Sequence, residues 1–429
     1  MSEHTPSVVH LPYGERTLLL HLPPGSLVLA RPPARALPDP AGALAAALDQ
    51  PLGTLPLAEL ARGRPSACIV VSDLTRPVPN RLLLPGILER LGQAGIPDER
   101  IELLVATGTH RPQTPAEVAQ LVGPELVRRC RVRNHDCRDG GALLALGTTS
   151  GGIPVAVDAG YWRAGLKVLT GFIEPHLMAG WSGGRKAVCP GICGLETTKA
   201  FHAAPLLAHP RAVNGVLEGN PVHEQALEAA RLAGADFIVN VTLDEERRPT
   251  GIFAGELDQA HRAGVARARA ECLAPFAGPA DVAVTTCAGY PLDATLYQAI
   301  KGLAAALPVV RAGGALVMAA SCQEGLGSPD FAQALADFTP QDFERALHRP
   351  GCYRFEQWQL QWLCRAARHA RLLLVSERGP ELAAAQANGW LQVCPTPAAA
   401  LELAVRQAGT RVIAMPAGPY LLPWACQPE

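Results

Sequence analysis

Short apolar runs of strand length alternate with stretches of helical periodicity through most of the chain, a pattern that predicts βαβ units and parallel sheets. ACIVVSD (67–73) precedes the helical pattern LLLPGILERLGQAG, and IELLVATG (101–108) precedes PAEVAQLVG. LKVLTGF follows, and VHEQALEAARLAGA reads as a helix leading into the strand DFIVNVTLD (236–244). A second set begins near Asp281: DVAVTTCAG, TLYQAIKGLAAAL, ALVMAASC, RLLLVSE and RVIAMPAG.

A chain of 429 residues exceeds what one core usually holds, so two domains are expected. Residues 262–280, rich in small residues and ending in prolines, mark the junction. The expected class is α/β: residues 1–270 form an N-terminal domain, residues 280–405 a Rossmann-like C-terminal domain, and a return of about 410–429 to the first is left open. Ligands of open parallel sheets bind beyond the carboxyl ends of strands. The polar clusters SDLTRP, TGTHRP, GFIEPH and GYPLD all follow predicted strands. Asp73, Arg76, His110, His176 and Asp293 are therefore expected to share a cleft, placed between the domains.

Charge and composition narrow the partners. A formal net charge of -1, with both signs spread along the chain, leaves no footprint for nucleic acid or an acidic membrane surface. The N-terminus lacks a basic region followed by an apolar run, no apolar stretch approaches a membrane span, and the 12 cysteines lack disulfide-scaffold spacing. A cytoplasmic protein with reduced, mostly buried thiols and a small-metabolite ligand is expected.

The densest chemistry lies in TGFIEPHLMAGWSGGRKAVCPGICGLETTKAFH (170–202). His176, Lys186 and His202 offer a base, an amine nucleophile and a nitrogen metal ligand, and Gly183 and Gly184 would let the backbone approach a bound group. Arg76, between Pro77 and an aspartate at 73, suits bidentate carboxylate recognition or a local pair with Asp73. His110 is either a reactive or a capping histidine. Cys189 and Cys193 face a metal or are buried structural thiols. SGGRK lacks the length and terminal Ser/Thr of a P-loop, so Lys186 is a phosphate-binding or a solvated lysine. Gln298 and Lys301 share one helix face near Asp293, an anion site or an ordinary amphipathic face.

The ordered blocks SDLTRP, TGTHRP, GFIEPHLMAGWSGGRK, PGI, FH, GNPVH and YPLDATLYQAIKG resemble the nickel-pincer lactate racemase family, over about residues 67–302. The resemblance implies a cofactor held by the N-terminal domain: a pyridinium-3-thioamide-5-thiocarboxylic acid mononucleotide carrying nickel, the nickel-pincer nucleotide. By it Lys186 matches the covalent tether and His202 the nickel ligand. Asp73, Gly183, Gly184 and Arg185 fall among the cofactor contacts, and His110 and His176 match the acid/base pair. Arg76, Tyr297, Gln298, Lys301 and Trp358 match the substrate contacts, with Trp362 close enough to leave the tryptophan register open. The enzymes that build the cofactor are the partners implied.

The resemblance further implies an isomerase acting on a 2-hydroxy acid, lactate or a relative. One histidine takes the hydroxyl proton as the C2 hydride leaves, and the other supplies a proton when hydride returns to the opposite face of the 2-keto acid. Arg76 and Lys301 hold the carboxylate meanwhile. Trp181, Leu292 and Tyr297 are expected to shape substrate choice. Two other readings stand beside this one: an oxidoreductase with the same cofactor that releases the keto acid, and a non-catalytic cofactor-binding homologue. Oligomeric state is left open.

Overall fold

The structure, a computed structural model, describes residues 8–347, 349 and 356–426. It divides into two compact units, Pro33–Glu271 and Met1–Pro32 with Cys272–Glu429. Both are α/β with mainly parallel sheets, as the alternating pattern predicts.

The Pro33–Glu271 unit is built on a six-stranded sheet in the order Pro249–Gly255, Phe237–Leu243, Leu166–Phe172, Ala67–Ser72, Ile101–Ala106 and Arg131–Asn134. Only Pro249–Gly255 is antiparallel to its neighbour. Ala67–Ser72 and Leu166–Phe172 read as near-continuous apolar runs because helices cover both faces of such a sheet, and their residues are almost all buried. Strand order reverses between these two: later strands up to Arg131–Asn134 add on one side, and Leu166–Phe172 and Phe237–Leu243 on the other. That is a topological switch point, where loops leaving adjacent strands part and open a crevice.

Local chemistry sets the helix starts. Thr114 and Glu117 form a reciprocal capping box at the head of Pro115–Val122. Asn220 caps Pro221–Ala233 by accepting from the Val222 and His223 amides, while its own amide donates to the carbonyls of Met178 and Val216. One side chain thus starts a helix and ties down the turn that carries His176.

The other unit has a six-stranded, all-parallel sheet in the order Gln392–Cys394, Arg371–Val375, Val310–Ala319, Ala280–Thr286, Val412–Met415 and Leu27–Val28. The hairpin Val8–Tyr13 and Arg16–His21 packs Val9, Leu11 and Leu20 into one apolar cluster with Val282, Val284 and Val317 of the sheet and Ala400 and Leu401 of the helix Pro397–Ala408.

The domain bounds read from sequence differ from this division. Residues 8–32 group with the C-terminal half, because Leu27–Val28 adds to the edge of its sheet and the hairpin covers its core. Val412–Met415 pairs with Ala280–Thr286 and Leu422–Ala425 with Leu273–Phe276, so residues 410–426 stay in this unit. The expected junction at 262–280 is crossed by the helix Gln259–Cys272, and the division falls at its last turn. Among the described residues no helix is long and apolar enough to cross a membrane.

Leu11 is 0% exposed in the hairpin. Leu11→Ala is expected to cost about 2–5 kcal/mol, the range for emptying a core leucine site, read as a lower urea midpoint. A loss below about 1 kcal/mol would mean that the hairpin lies outside the cooperative core.

Candidate active site

The switch point of the Pro33–Glu271 unit gathers the first group. Asp73, one residue past the end of Ala67–Ser72, is 4% exposed. Its Oδ2 accepts from His110 Nδ1 at 2.6 Å, and its Oδ1 accepts from the amide and hydroxyl of Thr75 at 3.1 and 2.6 Å. Burial pushes the Asp73 carboxyl up, but the bonds from His110 and Thr75 outweigh it and hold the group below the usual range. Asp73 is thus an ionised acceptor at neutral pH. It fixes the His110 proton on Nδ1 and leaves the lone pair on Nε2, the arrangement of a proton acceptor. Across the crevice, Arg76 Nε lies 3.3 Å from Glu174 Oε1, on the loop leaving Leu166–Phe172.

His176 has the opposite arrangement. Its Nδ1 accepts from the amides of Met178 and Ala179, both at 3.2 Å, so the neutral ring carries its proton on Nε2. The pair Pro175–His176 and Gly180–Trp181 forms a two-residue antiparallel ladder that presents it.

Arg185 closes this turn from within. Its guanidinium is 1% exposed and donates to the carbonyls of Ala179 and Trp181 at 2.9 and 2.8 Å and of Gly183 at 3.3 Å. His261 Nε2 lies 2.8 Å from both Arg185 Nη1 and the Ser182 carbonyl, and the His223 ring stacks on His261 with centroids 6.3 Å apart. Burial lowers the pKa of Arg185, and a nearby Asp258 opposes that fall. Burial likewise holds both histidines neutral: His223 falls to about 3, and His261 well below the usual range.

Lys186 and His202 form the second group. The short turn Gly184–Ala187 carries Lys186, whose Nζ sits 6.0 Å from the centroid of Phe201. His202, next along and 7% exposed, donates from Nδ1 to the Thr198 carbonyl at 2.8 Å, which leaves its lone pair on Nε2. Burial lowers its pKa to about 3, with the charge of Lys186 acting in the same direction. The two side chains are therefore neighbours, and the imidazole is a neutral nitrogen donor across physiological pH. The Gly191 amide donates to the Lys186 carbonyl at 3.2 Å and the Gly191 carbonyl accepts from Gly108 at 3.0 Å, which links this turn to the loop bearing His110.

The other unit holds its candidates on the helix Leu296–Ala306, capped by Thr295. Lys301 Nζ donates to Gln298 Oε1. Trp358 Nε1 donates to the Tyr297 hydroxyl at 2.8 Å, while Trp362 packs beneath the Arg365 guanidinium, 5.1 Å from ring to cation. Of the two tryptophans, Trp358 is the one joined to the helix of Gln298 and Lys301. Asp293, fully buried, accepts from the amides of Gly14 and Ser321 at 2.7 and 3.0 Å and locks the loop that starts this helix.

Two family descriptions match the chain: the Lactate racemase N-terminal domain over residues 13–215 and the Lactate racemase C-terminal domain over 277–418. It is 38% identical over 333 residues to the lactate racemase of Lactiplantibacillus plantarum, covering 77% of this chain and 78% of that one. It is 35% identical to that of Thermoanaerobacterium thermosaccharolyticum, over 77% and 78% of the two chains. The chain belongs to the lactate racemase family. The lactate racemase apoprotein structure from T. thermosaccharolyticum superposes with a TM-score of 0.89 at 30% identity, covering 97% of this chain and 100% of that one. A Thermotoga maritima protein shares the fold alone, with a TM-score of 0.67 at 19% identity over 86% and 96%.

Within this family framework the geometry changes several expectations. The Arg185 side chain is turned inward onto three carbonyls and builds the turn instead of facing a ligand. Asp73 is bonded to His110 and holds that ring in place. Gly183 and Gly184 are required by the protein's own packing: a Cβ on Gly183 would lie 2.3 Å from Asn240 Oδ1, one on Gly184 3.0 Å from the His261 ring, and both have positive φ. Trp181 is 1% exposed, in the interior rather than on an open wall. Cys189 and Cys193 are both buried, and the contact with the Cys189 sulfur, then burial, hold Cys193 well above the usual thiol range, as structural thiols. Sequence reasoning missed Glu174, Asn240 and His261. Glu174 stands inside the quoted GFIEPH block and was the one with a local signal.

Two measurements follow. In the unfolded chain His223 and His261 take up protons below about pH 6.5, whereas the folded unit keeps them neutral. The unfolded state therefore binds more protons in this window, and stability falls as pH drops from 6.5 toward 5, by up to about 3 kcal/mol per pH unit for the pair. Urea titrations across that range read the slope, and a flat profile overturns the buried neutral assignment. Nitrogen NMR of the imidazoles near pH 7.5 is expected to show the Nδ1–H form for His110 and the Nε2–H form for His176. The same form for both contradicts the hydrogen bonds above.

Proposed function

We propose that this protein is a racemase or epimerase of a 2-hydroxy acid, lactate or a close relative, working by proton-coupled hydride transfer with a lysine-tethered nickel-pincer nucleotide. The observation that carries the reading is the opposed pair of histidines: His110 offers a lone pair at Nε2 and His176 a proton at Nε2. Racemisation through a planar keto acid calls for one group that takes the hydroxyl proton and a second that holds the carbonyl oxygen by a hydrogen bond and returns a proton from its imidazolium form, and a single histidine would not provide both.

The donor set fits the proposed group. His202 directs a neutral Nε2 outward from its Thr198 bond, and Lys186 lies beside it, so the imidazole would complete the nickel coordination while the amine forms the tether. When bound, the nucleotide supplies a hydride acceptor. The protein's own part begins with Asp73, which holds His110 in the tautomer that accepts the hydroxyl proton. Arg76 and Lys301 take the carboxylate, and Gln298 orients the Lys301 ammonium. Tyr297 and Trp358, joined by their hydrogen bond, shape the substrate's apolar side.

The chain is to be produced together with the cofactor-building enzymes and nickel, and loss of optical rotation followed over a panel of 2-hydroxy acids. Racemisation of at least one member is expected. His110→Ala and His176→Ala should each lower kcat by roughly 10²–10⁴-fold, the usual worth of a general acid or base. His202→Ala should lose nickel while Lys186 keeps its mass adduct. No racemisation despite that adduct overturns the reading, and accumulation of keto acid turns it into an oxidoreductase.

A further inference from the structure

We propose that Glu174 is a positioning residue that sets how Arg76 meets a substrate carboxylate, an inference that rests on Arg76 being the carboxylate holder. Arg76 and Glu174 follow adjacent strands, Ala67–Ser72 and Leu166–Phe172, at the switch point. Their ion pair, Nε to Oε1 at 3.3 Å, bridges the two loops, with the side chains 24% and 15% exposed. Arg76 is held on a second side, where Nη1 donates to the Thr75 carbonyl at 3.1 Å and faces the Thr75 hydroxyl at 3.4 Å. Thr75 is itself fixed by Asp73. Nη2 has no protein acceptor among the described residues. The guanidinium is thus gripped at Nε and on one side of Nη1, and its Nη2 corner is left for an incoming carboxylate.

Glu174 is a firm support for that grip. Its amide donates to Ser182 Oγ at 2.9 Å, its carbonyl accepts from the Ser182 amide at 2.9 Å, and Ser182 Oγ donates to the Phe172 carbonyl at 2.7 Å. This segment continues directly into His176. Glu174 therefore fixes the distance between the residue that holds the carboxylate and one that handles the proton, and spares Arg76 the rotamer freedom that a long, part-exposed side chain keeps. A carboxylate beside Arg76 also competes with substrate for it. Glu174 is nearest at Nε and Nη2 makes no hydrogen bond among the described residues, so the outer edge of the guanidinium stays available and the first effect is the larger.

The test uses the full chain in two forms. With the loaded enzyme and lactate, Glu174→Gln is expected to raise KM about fivefold with kcat changed less than about twofold, the fold-change that one half-buried ion-pair contact carries. Glu174→Asp, which keeps the charge but falls short of Nε, should do the same. Without cofactor, calorimetric titration with lactate should show the same weakening, and in the Arg76→Ala background Glu174→Gln should add nothing. A lower KM in Glu174→Gln, or an undiminished effect in the Arg76→Ala background, overturns the proposal while Arg76 keeps its role. An unchanged KM in Arg76→Ala alone overturns the carboxylate role of Arg76, and the proposal with it.

Discussion

A cation sealed beneath a short loop is the constraint on which the candidate site depends. The Arg185 guanidinium draws the carbonyls of Ala179, Trp181 and Gly183 toward one point, and the turn between His176 and Lys186 can close only around it. A guanidinium suits this use because its donors are planar and fixed, so three carbonyls are held at set angles. Packing then leaves no room for side chains at Gly183 and Gly184, where Asn240 and His261 fill the space. The neutrality of His261 and His223 follows from burial first, with repulsion from the Arg185 charge adding to it.

The two histidines show how backbone and side chain select a tautomer by different routes. His110 is set by a carboxylate whose pKa burial raises and the bonds from the ring and Thr75 bring back down. His176 is set by two amides of its own turn, a grip that exists only because Arg185 and Asn220 hold the Met178–Ala179 segment. The tautomer is thus written into the loops rather than into the imidazoles, which are chemically the same.

Much of this was legible in the sequence. The apolar runs around 67, 101, 166, 236, 281, 371 and 412 are strands, because a parallel sheet covered on both faces leaves a continuous hydrophobic signal. The blocks SDLTRP, TGTHRP and GFIEPH fall at strand ends, where the placement rule puts them. What escaped was pairing between distant segments. Nothing local in LV at 27–28 announces an edge strand beside residues 412–415, and helical periodicity in 259–272 was masked by alanine, glycine and arginine that read equally well as a linker. Burial also escaped the sequence: the resemblance placed Arg185 among the cofactor contacts, and only its 1% exposure shows the side chain to be part of the interior.

The pairing of Leu27–Val28 with Val412–Met415 places both ends of the described chain in one sheet unit and inserts the other unit between them. Synthesis therefore runs against the order of completion. A nascent chain that has reached Glu271 contains every strand of the inserted unit, while the unit begun first has only its hairpin and one short strand, too little to be stable alone. At about 5–20 residues per second, the apolar face bearing Val9, Leu11 and Leu20 waits tens of seconds on the ribosome for its sheet to be made. The inserted unit can fold before the hairpin meets its sheet, and the hairpin's apolar face is the part most in need of shelter meanwhile.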